Sequence, residues 1–217
     1  MRSTVRHTRL ASDSWNLPPW KDARGTSLAL LSAALRLFAR HGFGGTSVRD
    51  VAAEAQVQPA TMYAHYPSKQ HLLAELIRIG HEEHHRRLRA ALLECGADPV
   101  EQLSALVRGH VRMHCEYPML AVIANAELHA LTEEFAREAL SLRRQSEQLF
   151  MDVIKRGIEL GAFSVPAPWL ALSAIGGMGL RVAHWFTPDC GMSVDEIADT
   201  YAEFARRLVG VKAAPTS

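Results

Sequence analysis

The chain predicts an all-α fold of about nine helices, and three observations carry that reading. Apolar residues recur at i, i+3, i+4 spacing through most of the length, no run alternates with period two, and no tight hairpin turn separates apolar runs. A chain of 217 residues buries a sizeable core without disulfide or metal staples. At 48% apolar and 22% charged residues it is neither mostly disordered nor built on a disulfide framework. Cys95, Cys115 and Cys190 are odd in number and far apart, which fits small buried hydrophobes in a reducing compartment.

Residues 1–24 show no sustained period, contain Pro18-Pro19 and hold five basic against two acidic residues, the pattern of a flexible basic arm. From Thr26, the positions Leu28, Leu31, Leu35 and Phe38 mark a first helix that Gly42 stops. A short second helix begins after Thr46 or Ser47, either of which can cap it, and runs to about Ala55. A third opens at Gln58-Pro59, where proline's missing N–H is no loss, and ends at Tyr66 before Pro67.

Ser68 is expected to cap a long fourth helix that stops at Gly96. Asp98-Pro99 opens a fifth that ends before Pro118. Met119–Leu131, Thr132–Leu160, Pro166–Phe186 and Ser193–Val209 complete the set, the last opened by a Ser193/Glu196 capping box. The run Trp169–Phe186 is interrupted by Arg181 and His184 and is a poor membrane span. Residues 1–24 lack the apolar stretch of a signal peptide, so a soluble cytoplasmic protein is expected.

Charge is unevenly spread. Residues 1–80 hold ten Lys/Arg against five Asp/Glu, whereas the remainder holds fourteen against eighteen, so a polyanion would be met by the N-terminal part. Two short helices joined at Glu54–Val57, each with one apolar face, form the pattern of a helix-turn-helix. The second helix of such a pair can enter a major groove about 12 Å wide. Its outward residues are Gln58, Pro59, Ala60, Thr61, Tyr63, Ala64, His65 and Lys69. Small residues at its start let the backbone approach base edges, while Tyr63, His65 and Lys69 can reach phosphates and Arg49 can donate to guanine. The same pattern also suits a plain three-helix packing module.

The stretch LALLSAALRLFARHGFGGTSVRDVAAEAQVQPATMYAHYPSKQHLLAEL, Leu28 to Leu76, resembles the N-terminal domain of the TetR family of transcriptional regulators. The matching features are the LF…HGF turn, the TSVRDVA helix, Val57 in the turn and the T-x-Y-x-H-Y-x-S-K run from Thr61 to Lys69. The resemblance implies a helix-turn-helix DNA-binding domain over 25–75 and a larger helical ligand-binding and dimerisation domain over 76–211, followed by a tail at 212–217. It implies Ser47, Arg49, Gln58, Pro59, Thr61, Tyr63, His65 and Lys69 as DNA contacts, with Pro59 and Ala60 reading thymine methyls or backbone shape. It further implies a homodimer through the last two helices, on a pseudo-palindromic operator whose half-sites lie roughly 34–36 Å apart. Gly176, Gly177 and Gly179 would allow close helix approach there, or make room for a ligand.

Tyr117–Leu131 together with Met178–Phe186 resembles a sub-branch of that family that senses acyl-CoA thioesters in lipid and steroid breakdown. From the residues themselves, Arg181 sits among apolar neighbours, where a buried charge needs an anion, and Trp185 lies one turn on along the same face. Arg181 either meets a ligand anion or pairs with Glu127, Asp152 or a partner-chain carboxylate. Asn125, His129, Arg108, His114 and Phe150 are further candidates to line a pocket.

Two histidine patterns carry less. His81-Glu82-Glu83-His84-His85 matches the H-E-x-x-H zinc signature but lacks a placed third ligand, and His84–Arg89 reads as a solvated face. His110 and His114, beside Cys115 and Glu116, have metal-sensor spacing. The expectation is a ligand-responsive regulator, most simply a repressor, not an enzyme, with no cofactor and a small-molecule effector such as an acyl-CoA thioester. A sensor of drug-like or antibiotic molecules is the alternative, and a zinc-dependent hydrolase the remote one.

Overall fold

The computed structural model describes residues 16–19 and 23–211. Most of the expected basic arm and all of the expected tail lie outside the described residues. Within them the chain forms α1 (Gly25–His41), α2 (Val48–Glu54), α3 (Pro59–His65), α4 (Lys69–Leu93), α5 (Pro99–Glu116), α6 (Pro118–Ala126), a 3-10 turn at Leu128–Ala130, α7 (Glu133–Glu159), α8 (Pro168–Val182) and α9 (Val194–Leu208), with no strand among the described residues.

Helix ends are set by local chemistry. Gly42, at φ 78°, ends α1 in a conformation that disfavours other residues. Ser47 rather than Thr46 caps α2: its Oγ accepts from Asp50 N while Asp50 accepts from Ser47 N, a reciprocal box. Thr46 is instead buried, donating to the Gly42 carbonyl at 2.9 Å. The same reciprocal box, from Ser193 and Glu196, opens α9. Ser68 stands at the N-cap of α4 without capping it, because its hydroxyl bonds His71 Nδ1 at 2.8 Å.

Two expected spans contract. The sixth helix ends at Ala126, and the chain tightens into the 3-10 turn that delivers buried Leu131 to the core. The eighth runs only from Pro168, in its first turn, to Val182.

The apolar side chains divide into two main clusters. One joins α1–α3 and the first half of α4 to α6 and the first turns of α7, around Leu31, Phe38, Met62, Leu76 and Leu120. The other joins the end of α4 to α5, the end of α7, α8 and α9, around Leu106, Phe150, Ile154, Ile175 and Ala202. Helix α4 belongs to both, so any tilt of it is felt at each end. α8, the turn after it and α9 leave Trp169, Leu170, Trp185, Phe204 and Leu208 exposed, a large apolar display for a lone chain. No helix among the described residues is long and apolar enough to cross a membrane.

Candidate functional site

The first candidate site is the α2–α3 pair. Its turn passes through Gln56 at φ 57°, and Val57 N reaches back to the Ala52 carbonyl at 2.9 Å, which fixes the angle between the two helices. Fully buried Met62 anchors α3 from below. Buttressing comes from Arg36 to Glu54 at 2.8 Å, between α1 and α2, and from the Tyr66 hydroxyl to Ser27 at 2.8 Å. Burial raises the Tyr66 phenol above its ordinary range, so it stays protonated.

On that frame Ser47, Arg49, Gln58, Pro59, Ala60, Tyr63 and His65 are exposed together and Thr61 is half-buried. Tyr63 is 53% exposed, a large side chain held away from the core. Lys69 is placed differently. Its Nζ donates to the Phe43 and Thr46 carbonyls at 2.7 and 2.6 Å and sits 4.1 Å from the centre of the Phe43 ring. Burial lowers its pKa from the usual lysine value, with Asp50 opposing that shift. Lys69 thus ties the start of α4 to the loop that leads into α2.

The second candidate site is a cavity of about 400 Å³ walled by α4, α5, α6, α7 and α8. Met113, Ala121, Ala124, Phe150 and Leu180 make its apolar lining, and His81, His84, His110 and His114 bring four imidazoles to it. His84 Nε2 and His110 Nδ1 are 2.8 Å apart, and His110 Nε2 lies 3.2 Å from the Gly176 carbonyl. A carbonyl only accepts, so His110 Nε2 holds the proton, Nδ1 accepts, and His84 Nε2 donates to it. Gly179 makes this possible: a Cβ there would come within 2.0 Å of the His110 ring.

Burial holds these rings neutral. It lowers His81 and His110 to about 4 and His114 to about 3, with Arg143 adding to the effect on His81 and His110 to that on His114. His84 falls well below the usual histidine value, from burial first and the neighbouring rings second. Beside the cavity, fully buried Glu83 accepts from Arg86 and Arg87, and Arg87 reaches Glu116, which locks α4 to α5. His84–Arg89 is therefore not the solvated face that the charge pattern suggests, since His84 and Arg87 turn inward.

Of the sequence's ligand candidates, His114, Asn125 and Phe150 line this cavity. Asn125 Nδ2 donates to the Ala121 carbonyl at 2.8 Å. Arg181, exposed on α8, and Trp185, exposed in the turn after it, line no part of the cavity, so the premise of a buried Arg181 charge does not hold. Arg108 pairs with Asp199 of α9 at 2.5 Å, and His129 is exposed in the 3-10 turn. Both lie outside the lining.

The residues missed were His81, His84, His110 and Arg143. The signal for His110 was present: it falls on the buried series Leu103, Leu106, Val107, His110, Val111, His114. Among the described residues no group of three or more His, Cys, Asp or Glu side chains is arranged to hold a metal ion. The zinc-like stretch is pulled apart, with Glu82 held by Arg78 and His85 by Ser146.

Comparison with known proteins agrees with this architecture. Residues 30–76 match the family described as bacterial regulatory proteins, tetR family, and residues 96–209 match the tetracyclin repressor-like C-terminal domain. A transcriptional repressor, KstR2 of Rhodococcus jostii RHA1, is 26% identical over 189 residues, covering 85% of this chain and 92% of that one. A crystal structure of a tetR-family regulatory protein from Rhodococcus RHA1 superposes with a TM-score of 0.81 at 28% identity, over 88% of this chain and all of that one. The crystal structure of AibR in complex with isovaleryl coenzyme A and operator DNA shares the fold, with a TM-score of 0.76 at 23% identity over 87% of this chain and 100% of that one.

Proposed function

The chain belongs to the TetR family of bacterial regulatory proteins, and on that premise we propose that it is a repressor released from its operator by a small molecule bound in the histidine-lined cavity. Residues 25–75 read DNA, and residues 76–211 bind the effector and dimerise. Ser47, Arg49, Gln58, Pro59, Ala60, Thr61, Tyr63 and His65 meet the duplex. Lys69 acts from behind, holding the reading pair on α4. The exposed apolar face of α8 and α9 is closed by a second copy, which sets two reading helices against successive major grooves.

The observation that carries the regulatory part is that the cavity is walled by the helices that support the reading unit. α4 contributes Gly80, His81 and His84 and begins at Lys69, while α6 contributes Ala121, Ala124 and Asn125 and shares a core with α1. Gly80 shows how tightly they are coupled, since a Cβ there would come within 2.9 Å of the Ala124 methyl. A ligand that fits only a shifted α4–α6 arrangement favours a spacing of reading helices that no longer matches the operator. To release DNA it must bind that form far more tightly than the DNA-bound one.

An acyl-CoA thioester is the effector class this reading favours. The cavity holds an acyl group, with the nucleotide end outside it, and Arg143 at the lining, paired with Glu147 at 3.0 Å, exchanges that carboxylate for an anionic group of the ligand. AibR, of the same fold, was crystallised with such a thioester. The test is an electrophoretic shift on DNA upstream of the chain's own gene, with and without a panel of acyl-CoAs. Binding at moderate salt that one thioester abolishes is the expected result. Binding that no thioester disturbs would overturn the effector class. No binding to any sequence in an unbiased DNA selection would overturn the operator-binding reading itself.

A further inference from the structure

The polarity of one cavity nitrogen is fixed by the helix that carries it. His114 Nδ1 lies 2.7 Å from the His110 carbonyl oxygen, one turn back along α5. The carbonyl has no hydrogen to give, so Nδ1 carries the proton and donates it. In a neutral imidazole the other nitrogen then holds a lone pair. His114 is 2% exposed, it lines the cavity, and its Nε2 has no hydrogen-bond partner among the described residues. The other two rings of the group do not relieve it. His84 gives its Nε2 proton to His110, and His110 gives its own to Gly176.

We infer that the cavity's ligand brings a hydrogen-bond donor, an O–H or N–H, to His114 Nε2, on a molecule otherwise apolar enough to lie against Met113, Ala121 and Phe150. This rests on the reading of the cavity as the effector site. A plain saturated acyl thioester offers only acceptors at its acyl end and leaves Nε2 unmatched. A hydroxylated acyl group supplies the missing proton. His81 Nε2 is a second buried nitrogen on the same wall without a hydrogen-bond partner among the described residues. A site built around a hydroxyl rejects the analogue that lacks it far more strongly than an apolar pocket rejects a missing methylene.

The test is calorimetric titration of the full chain with two matched pairs of ligands: 3-hydroxydecanoyl-CoA against decanoyl-CoA, and 3-hydroxydecanoate against decanoate. The hydroxylated member of at least one pair is expected to bind ten or more times tighter, and His114→Phe is expected to erase that preference. A smaller gap in both pairs, or a preference that survives in His114→Phe, overturns the inference. Should His114→Phe fail to fold, the ¹⁵N shifts of the wild-type His114 ring decide independently. A proton on Nδ1 is expected, and a proton on Nε2 overturns the inference. Preference confined to the free acids would sink the thioester reading while sustaining the donor requirement. Thioester binding without a hydroxyl preference would do the reverse.

Discussion

The reading pair and the cavity are built on opposite plans. In α2–α3 the polar side chains point out, and the structure spends its buried contacts on holding a surface still: Met62 below, Arg36–Glu54 at the side, Lys69 across the back. In the cavity the histidine side chains point in and are buried, neutral, and only partly matched. The first region arrives pre-formed for a charged partner that water screens. The second keeps unmatched hydrogen-bonding capacity for a partner that must supply it. Rigidity in one and incompleteness in the other suit a device in which the second controls the first.

Acid separates the two regions most strongly. The cavity imidazoles are held near 3 to 4 in the fold against 6.5 for an ordinary histidine. Between those values the unfolded chain binds protons that the native chain does not. Their stabilisation is complete above about pH 6.5 and falls as pH drops through 6.5 toward 4. Urea unfolding at successive pH values should show midpoints that decline steadily on acidification. Midpoints independent of pH over that range would contradict the neutral cluster.

Core truncation comes next. Phe38→Ala removes a fully buried ring from the first cluster and should cost about 3–5 kcal/mol, measured by denaturant unfolding. Operator binding should fall with it. Gly179→Ala drives a methyl into His110 and should cost about 1–3 kcal/mol. Its signature is weakened effector binding with operator binding kept, and loss of both together would blur the division between the regions.

Lys69 offers a subtler contrast. With Nζ held by two carbonyls, Lys69→Ala should lower stability by about 1–3 kcal/mol and weaken operator binding without changing its salt slope. A slope reduced by about one would instead make Lys69 a phosphate contact. The smallest effect is expected from exposed Arg181. Arg181→Ala should leave effector affinity within about threefold, whereas Arg143→Ala, at the lining, should lower it by about tenfold.

This contrast also explains what the sequence disclosed. The α2–α3 pair is local: a capping serine, a turn and a proline-opened helix lie within twenty residues, so their spacing is visible in one dimension. The cavity is not. His84 and His110 come from different helices, and each sits in a metal-like pattern until the packing of α4 on α5 shows the two rings hydrogen-bonded to one another. Arg181 misled because a charge between leucine and valine looks buried, yet its side of α8 faces outward, where Leu170 is also exposed. Periodicity alone does not tell a core face from a face that awaits a second copy.

The central claim is that occupancy of the cavity controls the reading pair, and one measurement tests it directly. Fluorescence anisotropy would follow wild-type protein binding to its operator, with and without a saturating thioester whose binding calorimetry has established. The account predicts operator affinity lower by about a hundredfold or more in the presence of the ligand. Unchanged operator affinity with the cavity demonstrably filled would contradict it.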